Sequence, residues 1–345
     1  MPRIKSPLLA VFTREAEHIL HNPAYRFMLL TGPLVAIVLL FFIFQKGVVK
    51  EIPVAVVNQD QSSLSVKIEN NLDAASEVSI VLRAPDMFQA KEAMERAEVE
   101  AIILIPEGTE KSAMAGTETP VPIFINGSNV LKAGLLQRSI LTTLKTISGG
   151  IQLKKLMATG LTETQAKERI VPVKVDSHAL FNPYMNYNYF LNSVLFHLML
   201  FLFVLLSSIY SLGIELKRGT GHELLMCSNN SVRLAVLGKL APFTIVFAGF
   251  AMLIDLVMYK MQGTPLNGSF TLLYTGQVAA IISCQLMGII FVGSTNNLRL
   301  ALSLGCGYSM VGMTLSGLTF PFEGMPAIAR LFTSIFPLTW WKELF

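Results

Sequence analysis

The sequence predicts a membrane-embedded bundle of α-helices with an α/β domain inserted between its first and second spans. Three observations carry this. Over 345 residues, 52% are hydrophobic and only 14% charged, against about 25% charged in an ordinary soluble protein. The charges are unevenly placed, so that long uncharged apolar runs alternate with polar stretches, as bilayer spans require. The polar stretch after the first run, from about Gln45 to Asn188, is long enough to bury a core of its own.

The first span is Phe27 to Phe44 (residues 27–44), which holds no charged residue. A cleaved signal peptide is disfavoured, because the run starts late, behind the charged segment 1–26. It is followed by Gln45, Lys46 and Gly47 rather than a small-residue cleavage site. The remaining apolar runs fall within 189–345. They are Tyr189 to Ile214, interrupted only by His197; Leu240 to Tyr259, containing Asp255; Phe270 to Gly293; and Leu300 to Phe320. A sixth stretch, Ala327 to Trp341, carries Arg330 and Pro337 and reads as an interfacial or re-entrant helix. The expectation is therefore five spans, with a sixth missing by truncation or lying beyond the chain end.

Lys and Arg in short loops set the orientation. Arg3, Lys5, Arg14 and Arg26 precede the first span, and Lys217, Arg218, Arg233 and Lys239 follow the second, whereas the short loop after the third offers only Lys260. The N-terminus is thus expected in the cytoplasm and segment 45–188 outside.

That segment opens with Ile52 to Asn58, an apolar β-branched run ending in turn formers, which fits a buried strand. A helix over Ser62 to Leu72, a strand over Val78 to Leu82 and a helix capped by Asp86 follow. Glu100 to Ile105 and Val121 to Ile125 are further strands. A long helix from about Asn129 to Thr159 is expected to break at Gly149-Gly150. Strands alternating with helices predict a small α/β sandwich with a partly parallel sheet. The run Asn58 to Ser63 sits where a strand-end ligand site could lie, but its composition favours a turn and a helix cap.

No catalytic or metal-binding constellation stands out. His178 has no cysteine beside it, and Glu92, Glu95, Glu98 and Glu100 are mixed with Lys91 and Arg96 as on a solvated helix face. Cys227, Cys284 and Cys306 fall in the apolar half, without disulfide or metal spacing. The N-x-S matches at Asn126, Asn229 and Asn267 are of the kind chance supplies.

The most specific pattern lies between the second and third long runs, in the loop 215–239. Glu215, Gly219, Thr220, Glu223, Leu224 and Leu225 are followed by Gly238-Lys239. Physically this is a charged helix end, a glycine break and a short amphipathic helix, able to lie at a membrane surface and dock into a groove on another protein. The pattern resembles the type-2 ABC exporter permeases, in which E-x-x-x-G-T-x-E-x-L-L and a later G-K join the second and third spans. Residues 1–26 are similar to that family's amphipathic elbow helix, with Leu8, Phe12, Ala16 and Ile19 on one face and Arg14, Glu17 and His18 opposite. Phe336 to Trp340 resembles the segment before the family's sixth span, and the large external insertion marks one of its subgroups.

The resemblance implies a permease rather than an enzyme, with no catalytic or metal-binding residues and no cofactor of its own. Gly238-Lys239 lacks the rest of a Walker A sequence, so ATP and Mg would belong to a separate ATP-binding cassette subunit. Glu215, Gly219, Thr220, Glu223, Leu224 and Leu225 would couple that subunit to the spans, the two glutamates pairing with its basic residues and the two leucines filling its groove. A second permease subunit, identical or different, would complete the path, with membrane lipid around it and a periplasmic adaptor as a further candidate partner. No nucleic acid is expected. The setting implied is a bacterial inner membrane, and drug, lipid, peptide and polysaccharide-precursor substrates all stay open. His197 and Asp255 are candidate intramembrane functional groups, Asp255 alternatively reaching the interface or Lys260. Gly305, Gly307 and Gly312 fit helix packing. The competing class is a membrane-anchored binding or receptor protein with no ATPase partner, for which the loop pattern has no use.

Overall fold

The computed structural model describes residues 6–170, 182, 186–318 and 320–344; His178 lies outside them. The chain divides into two compact units, Met1–Gly47 with Ala179–Phe345, and Val48–His178.

The first unit is helical. Ser6 caps helix α1 (Pro7–His21) and Pro7 supplies its preset first turn. The helix stops because Asn22, just before Pro23, is forced into extended backbone; its side chain then caps the next helix through the Ala24 N–H. That next helix, α2 (Pro23–Phe44), is the first of five long and apolar enough to cross a membrane.

The second unit is a four-stranded sheet between helices. In chain order it runs β1 (Ile52–Asn58), α3 (Ser63–Asp73), β2 (Val78–Ala84), α4 (Met87–Glu95), β3 (Ala101–Ile105), α5 (Thr109–Ala115), β4 (Ile123–Ile125), α6 (Val130–Ala158) and α7 (Glu163–Ile170). The strand order is β2-β1-β3-β4, parallel except for the antiparallel β3–β4 edge. Alternation along β1 explains its unbroken apolarity. Val54 and Val56 face a core with Leu64, Ile68 and Leu72 of α3 and Leu136 and Ile140 of α6, while Ala55 and Val57 face Ala90 and Ala93 of α4.

Asp86 caps α4 through the Gln89 N–H, and Ser62 caps α3 through the Ser65 N–H. The Asn58 side chain accepts from the Asp60 and Gln61 amides and donates to Ser65 and Glu69. The run Asn58 to Ser63 is thus a turn and a cap. One expectation is corrected: Gly149-Gly150 does not break α6, which continues for 29 residues. Ile147 and Ile151 on either side pack against the core, and that burial outweighs about 1 kcal/mol of helix propensity lost per glycine.

The other membrane helices are α8 (Asn188–Arg218), α10 (Val232–Met261), α11 (Phe270–Thr295) and α12 (Leu298–Leu315), with the short α9 (Gly221–Cys227) between α8 and α10. α8 is the core helix, its Phe196, Leu200, Val204 and Ile209 sealed against Phe243, Phe247, Ile281 and Ala301. Gly305 and Gly312 of α12 permit close approach by Ile209 and Phe336, whereas nothing approaches Gly307. The last apolar stretch is two short helices, α13 (Ala327–Thr333) and α14 (Pro337–Leu344), of which α14 carries the buried Trp341.

Candidate functional site

Where α1, the end of α8 and the start of α10 meet, four charged side chains are joined in one network. Lys239 is fully buried; its ammonium donates to Glu15 Oε2 and, at 2.9 Å, to Glu215 Oε1. Arg14 holds the same Glu215 as a fork, Nη1 to Oε1 at 2.9 Å and Nη2 to Oε2 at 3.3 Å. The Thr220 hydroxyl donates to Glu215 Oε2, and the Ser211 hydroxyl to Glu15 Oε1 at 2.9 Å. Two carboxylates thus face two cations, and the charges balance. Balance matters, since an unpaired buried ion costs several kcal/mol.

Local sequence explains how each group arrives. Val11, Glu15 and Ile19 are one turn apart and form the buried stripe of α1. α8 ends at Gly219, whose φ of +73° is the left-handed conformation a helix stop favours. The chain then folds back so that the Thr220 amide meets the Glu215 carbonyl at 3.1 Å and its hydroxyl meets the Glu215 carboxylate. Gly238 lets α1 approach α10: a Cβ there would stand 2.8 Å from Val11 Cβ and 3.0 Å from the Leu8 carbonyl oxygen.

Arg14 is held above its ordinary pKa: partial burial works against the charge, but Glu215 outweighs it. His18, whose Nδ1 is 3.8 Å from Glu15, is pushed below its ordinary value by burial and stays neutral near pH 7. Ligand atoms of Glu15, His18 and Glu215 lie close enough to hold a metal ion. Lys239 and Arg14 already supply the positive charge those carboxylates need, so the cluster is satisfied as a salt-bridge network.

The site corrects two expectations about the loop. Glu215 does not face outward toward a partner's basic residues; it is 5% exposed and bound to its own chain's Arg14, Lys239 and Thr220. Leu224 does not fill a partner's groove; it is buried against Val11 and Ala235, with Leu225 packed beside it. The surface that α9 leaves exposed is His222, Glu223, Met226 and Cys227. The elbow helix is corrected likewise: Leu8 is exposed, the inward stripe carries Glu15, and Arg14 turns into the bundle. Sequence reasoning missed Glu15, Ser211 and the ionic role of Lys239. The available signal was a lone lysine at the head of an apolar run and a glutamate one turn from Val11 and Ile19.

A second polar chain joins the two intramembrane residues singled out from sequence. His197 Nδ1 donates to the Ser193 carbonyl at 2.8 Å, which leaves Nε2 to accept from Gln277 Nε2 at 3.0 Å. The other amide hydrogen of Gln277 goes to Asp255 Oδ1 at 2.9 Å. Asp255 is 2% exposed and bonds Gln277, not Lys260 and not the interface. Trp341 stacks on the His197 ring with centroids 3.7 Å apart. Gln277 and Trp341 were not marked by any sequence pattern.

Five helices long and apolar enough to cross a membrane, an inserted α/β domain, and a clamped loop between the second and third of those helices define a polytopic membrane protein of helical-bundle architecture. Residues 23–341 match the family described as ABC-2 family transporter protein, and the chain belongs to that family. Among known proteins, it is similar to the "Probable multidrug ABC transporter permease YbhS" of Escherichia coli strain K12, at 23% identity covering 95% of this chain and 84% of that protein. The protein of the same name from Escherichia coli O157:H7 matches to the same extent. No solved structure matches the chain. Members of this family are membrane components of transport systems rather than enzymes in themselves.

Proposed function

We propose that this chain is the permease subunit of an ATP-driven exporter, moving its substrate outward when a separate ATP-binding cassette subunit, carrying ATP and Mg, acts on the loop 215–239. The N-terminus and that loop lie in the cytoplasm, the α/β domain lies outside, and a second permease subunit completes the path in a bacterial inner membrane. The distribution of Lys and Arg supports the orientation, and the name of the Escherichia coli relatives suggests drug-like molecules as substrate.

One observation carries the reading. α9 is not a loose connection: through Glu215 and Thr220 it is tied to Arg14 of α1 and Lys239 of α10, and through Leu224 it rests on Val11 and Ala235. A push on α9 is therefore handed to α1 and the foot of α10 through the Thr220–Glu215 bond and the Leu224 contacts. The buried network resists being pulled apart, because separating its carboxylates from its cations would leave buried charges unpaired. Its exposed face, with Glu223 and Met226, is what a partner can grip.

The test is copurification. The chain is co-expressed with a candidate ATP-binding cassette subunit, as wild type, Glu223→Arg and Met226→Asp. The wild type is expected to retain the ATPase subunit and both variants to lose it, while eluting as the same monodisperse permease. Equal retention by all three would remove α9 from the contact, and no association at all would end the exporter reading.

A further inference from the structure

The α/β unit contains a cavity of about 1090 Å³ bounded by α3, α5, α6, α7 and the segment leading into β4. That is at the upper end of small-molecule sites, which run roughly 300–1,000 Å³. Its apolar wall includes Leu64 and Ile68 of α3, Val121 and Ile123, and Ile147 and Ile151 of α6. These side chains belong to the domain's main hydrophobic core or pack against it. Among the described residues, the cavity is thus a continuation of the core that no side chain fills.

The polar lining has one dominant sign. Lys145, Lys155 and Arg169 line the cavity against the single carboxylate of Glu118. Among the described residues Lys145 and Arg169 form no ion pair with a carboxylate, a state they share with other surface cations of the domain such as Lys67 and Arg138; what sets them apart is their place at the edge of this apolar wall. Lys155 spends one proton on the Ala113 carbonyl, and an ammonium has three. The Thr119 hydroxyl also lines the cavity and, among the described residues, finds no hydrogen-bond partner. Lys145 and Lys155 are separated along α6 by about 15 Å, with Ile147 and Ile151 between them. An apolar wall bordered by unpaired cations is complementary to a molecule with a hydrocarbon body and an anionic head.

We propose that this cavity binds a single-chain anionic amphiphile, a long-chain carboxylate, with its hydrocarbon against Ile68, Ile123, Ile147 and Ile151 and its head at the basic rim. The site is independent of the ATPase reading, since it uses no residue of the bundle.

The test uses the full chain in phosphatidylcholine nanodiscs and a palmitate bearing a photoreactive diazirine on its chain. Adducts are mapped by peptide mass spectrometry, and those within the membrane helices serve as the internal reference. Adducts are expected on α3 and α6 peptides, suppressed by excess unlabelled palmitate. Lys145→Glu with Arg169→Glu, both at exposed positions, is expected to lower cavity labelling about twofold to thirtyfold, the equivalent of two rim charge pairs. Lys154→Glu, exposed on the same helix but outside the cavity, should leave it unchanged, and Ile147→Trp should abolish it by filling the space. Adducts confined to the membrane helices would overturn the proposal. So would cavity labelling that survives both charge reversals or is matched by the alcohol analogue of the probe.

Discussion

Replacing Lys239 by Met removes the cation that bridges Glu15 and Glu215. The ammonium is fully buried, and the methionine that replaces it is similar in length. The consequence differs for the two carboxylates. Glu215 keeps the Arg14 fork and the Thr220 hydroxyl, whereas Glu15, itself 0% exposed, loses its bonded cation and keeps the Ser211 hydroxyl, with Tyr25 and His18 beside it. One negative charge is then buried without compensation, and breaking a buried pair in this way costs about 3–5 kcal/mol. For a unit of ~200 residues, at roughly 2–4 °C per kcal/mol, the midpoint should fall by about 6–20 °C. The assay is thermal unfolding of the purified chain in detergent, followed by the emission of its two tryptophans, Trp340 and Trp341. Glu15→Gln combined with Lys239→Met restores charge balance and is expected to recover at least half of the loss. The reasoning is refuted if the double variant falls by the sum of the single ones, because coupled neighbours do not add.

Gly238→Val should destabilise by about 1–3 kcal/mol, because its side chain meets Val11 and the Leu8 carbonyl and pushes α1 away; the same thermal assay reads it, with Gly249→Val, where nothing lies within 4 Å, as the comparison. Gln277→Leu leaves Asp255 and His197 without their shared donor, a loss of about 1–3 kcal/mol. Asp255→Leu added to it should cost less than it does in the wild type. Trp341→Ala removes a fully buried ring stacked on His197, and should cost about 3–5 kcal/mol, whereas Trp340→Ala, 60% exposed, should be nearly neutral when followed by loss of helical circular dichroism.

The bundle and the domain were legible because their signals are local. An uncharged run such as Phe270 to Gly293 has one stable environment, and β1 reads as a strand because both its faces are buried. Caps at Asp86 and Ser62 are legible for the same reason, since the acceptor and the amide it satisfies are three residues apart. Gly149-Gly150 misled because propensity is a small term and the long-range burial of α6 is a larger one. The charge network was illegible in kind. Glu15 and Lys239 lie in segments separated by most of the chain, and no spacing rule pairs them. Arg14 and Glu15 look like the polar face of an interfacial helix until α8 and α10 supply their counter-ions. Glu215 stood out in the loop pattern, but a pattern names residues without saying whether they face a partner or the protein's own interior.

That distinction bears on what the network is for. Stability alone would not favour it, because well-packed apolar residues of the same volume usually do as well or better than buried ion pairs. Register is a different matter. The apolar contact between α9 and its bed is small, essentially Leu224 and Leu225 on Val11 and Ala235, and such a contact could slide by a turn at little cost. A slide that drew the end of α8 along and carried Glu215 away from Lys239 and Arg14 would leave the buried Glu215 and the half-buried Arg14 without their partners, while Lys239 kept Glu15. The ionic contacts therefore convert a soft apolar seat into one with a single favoured position. An element with a single favoured position moves as a body or not at all, and a loop that must hand a partner's displacement to two membrane helices needs that property more than it needs stability.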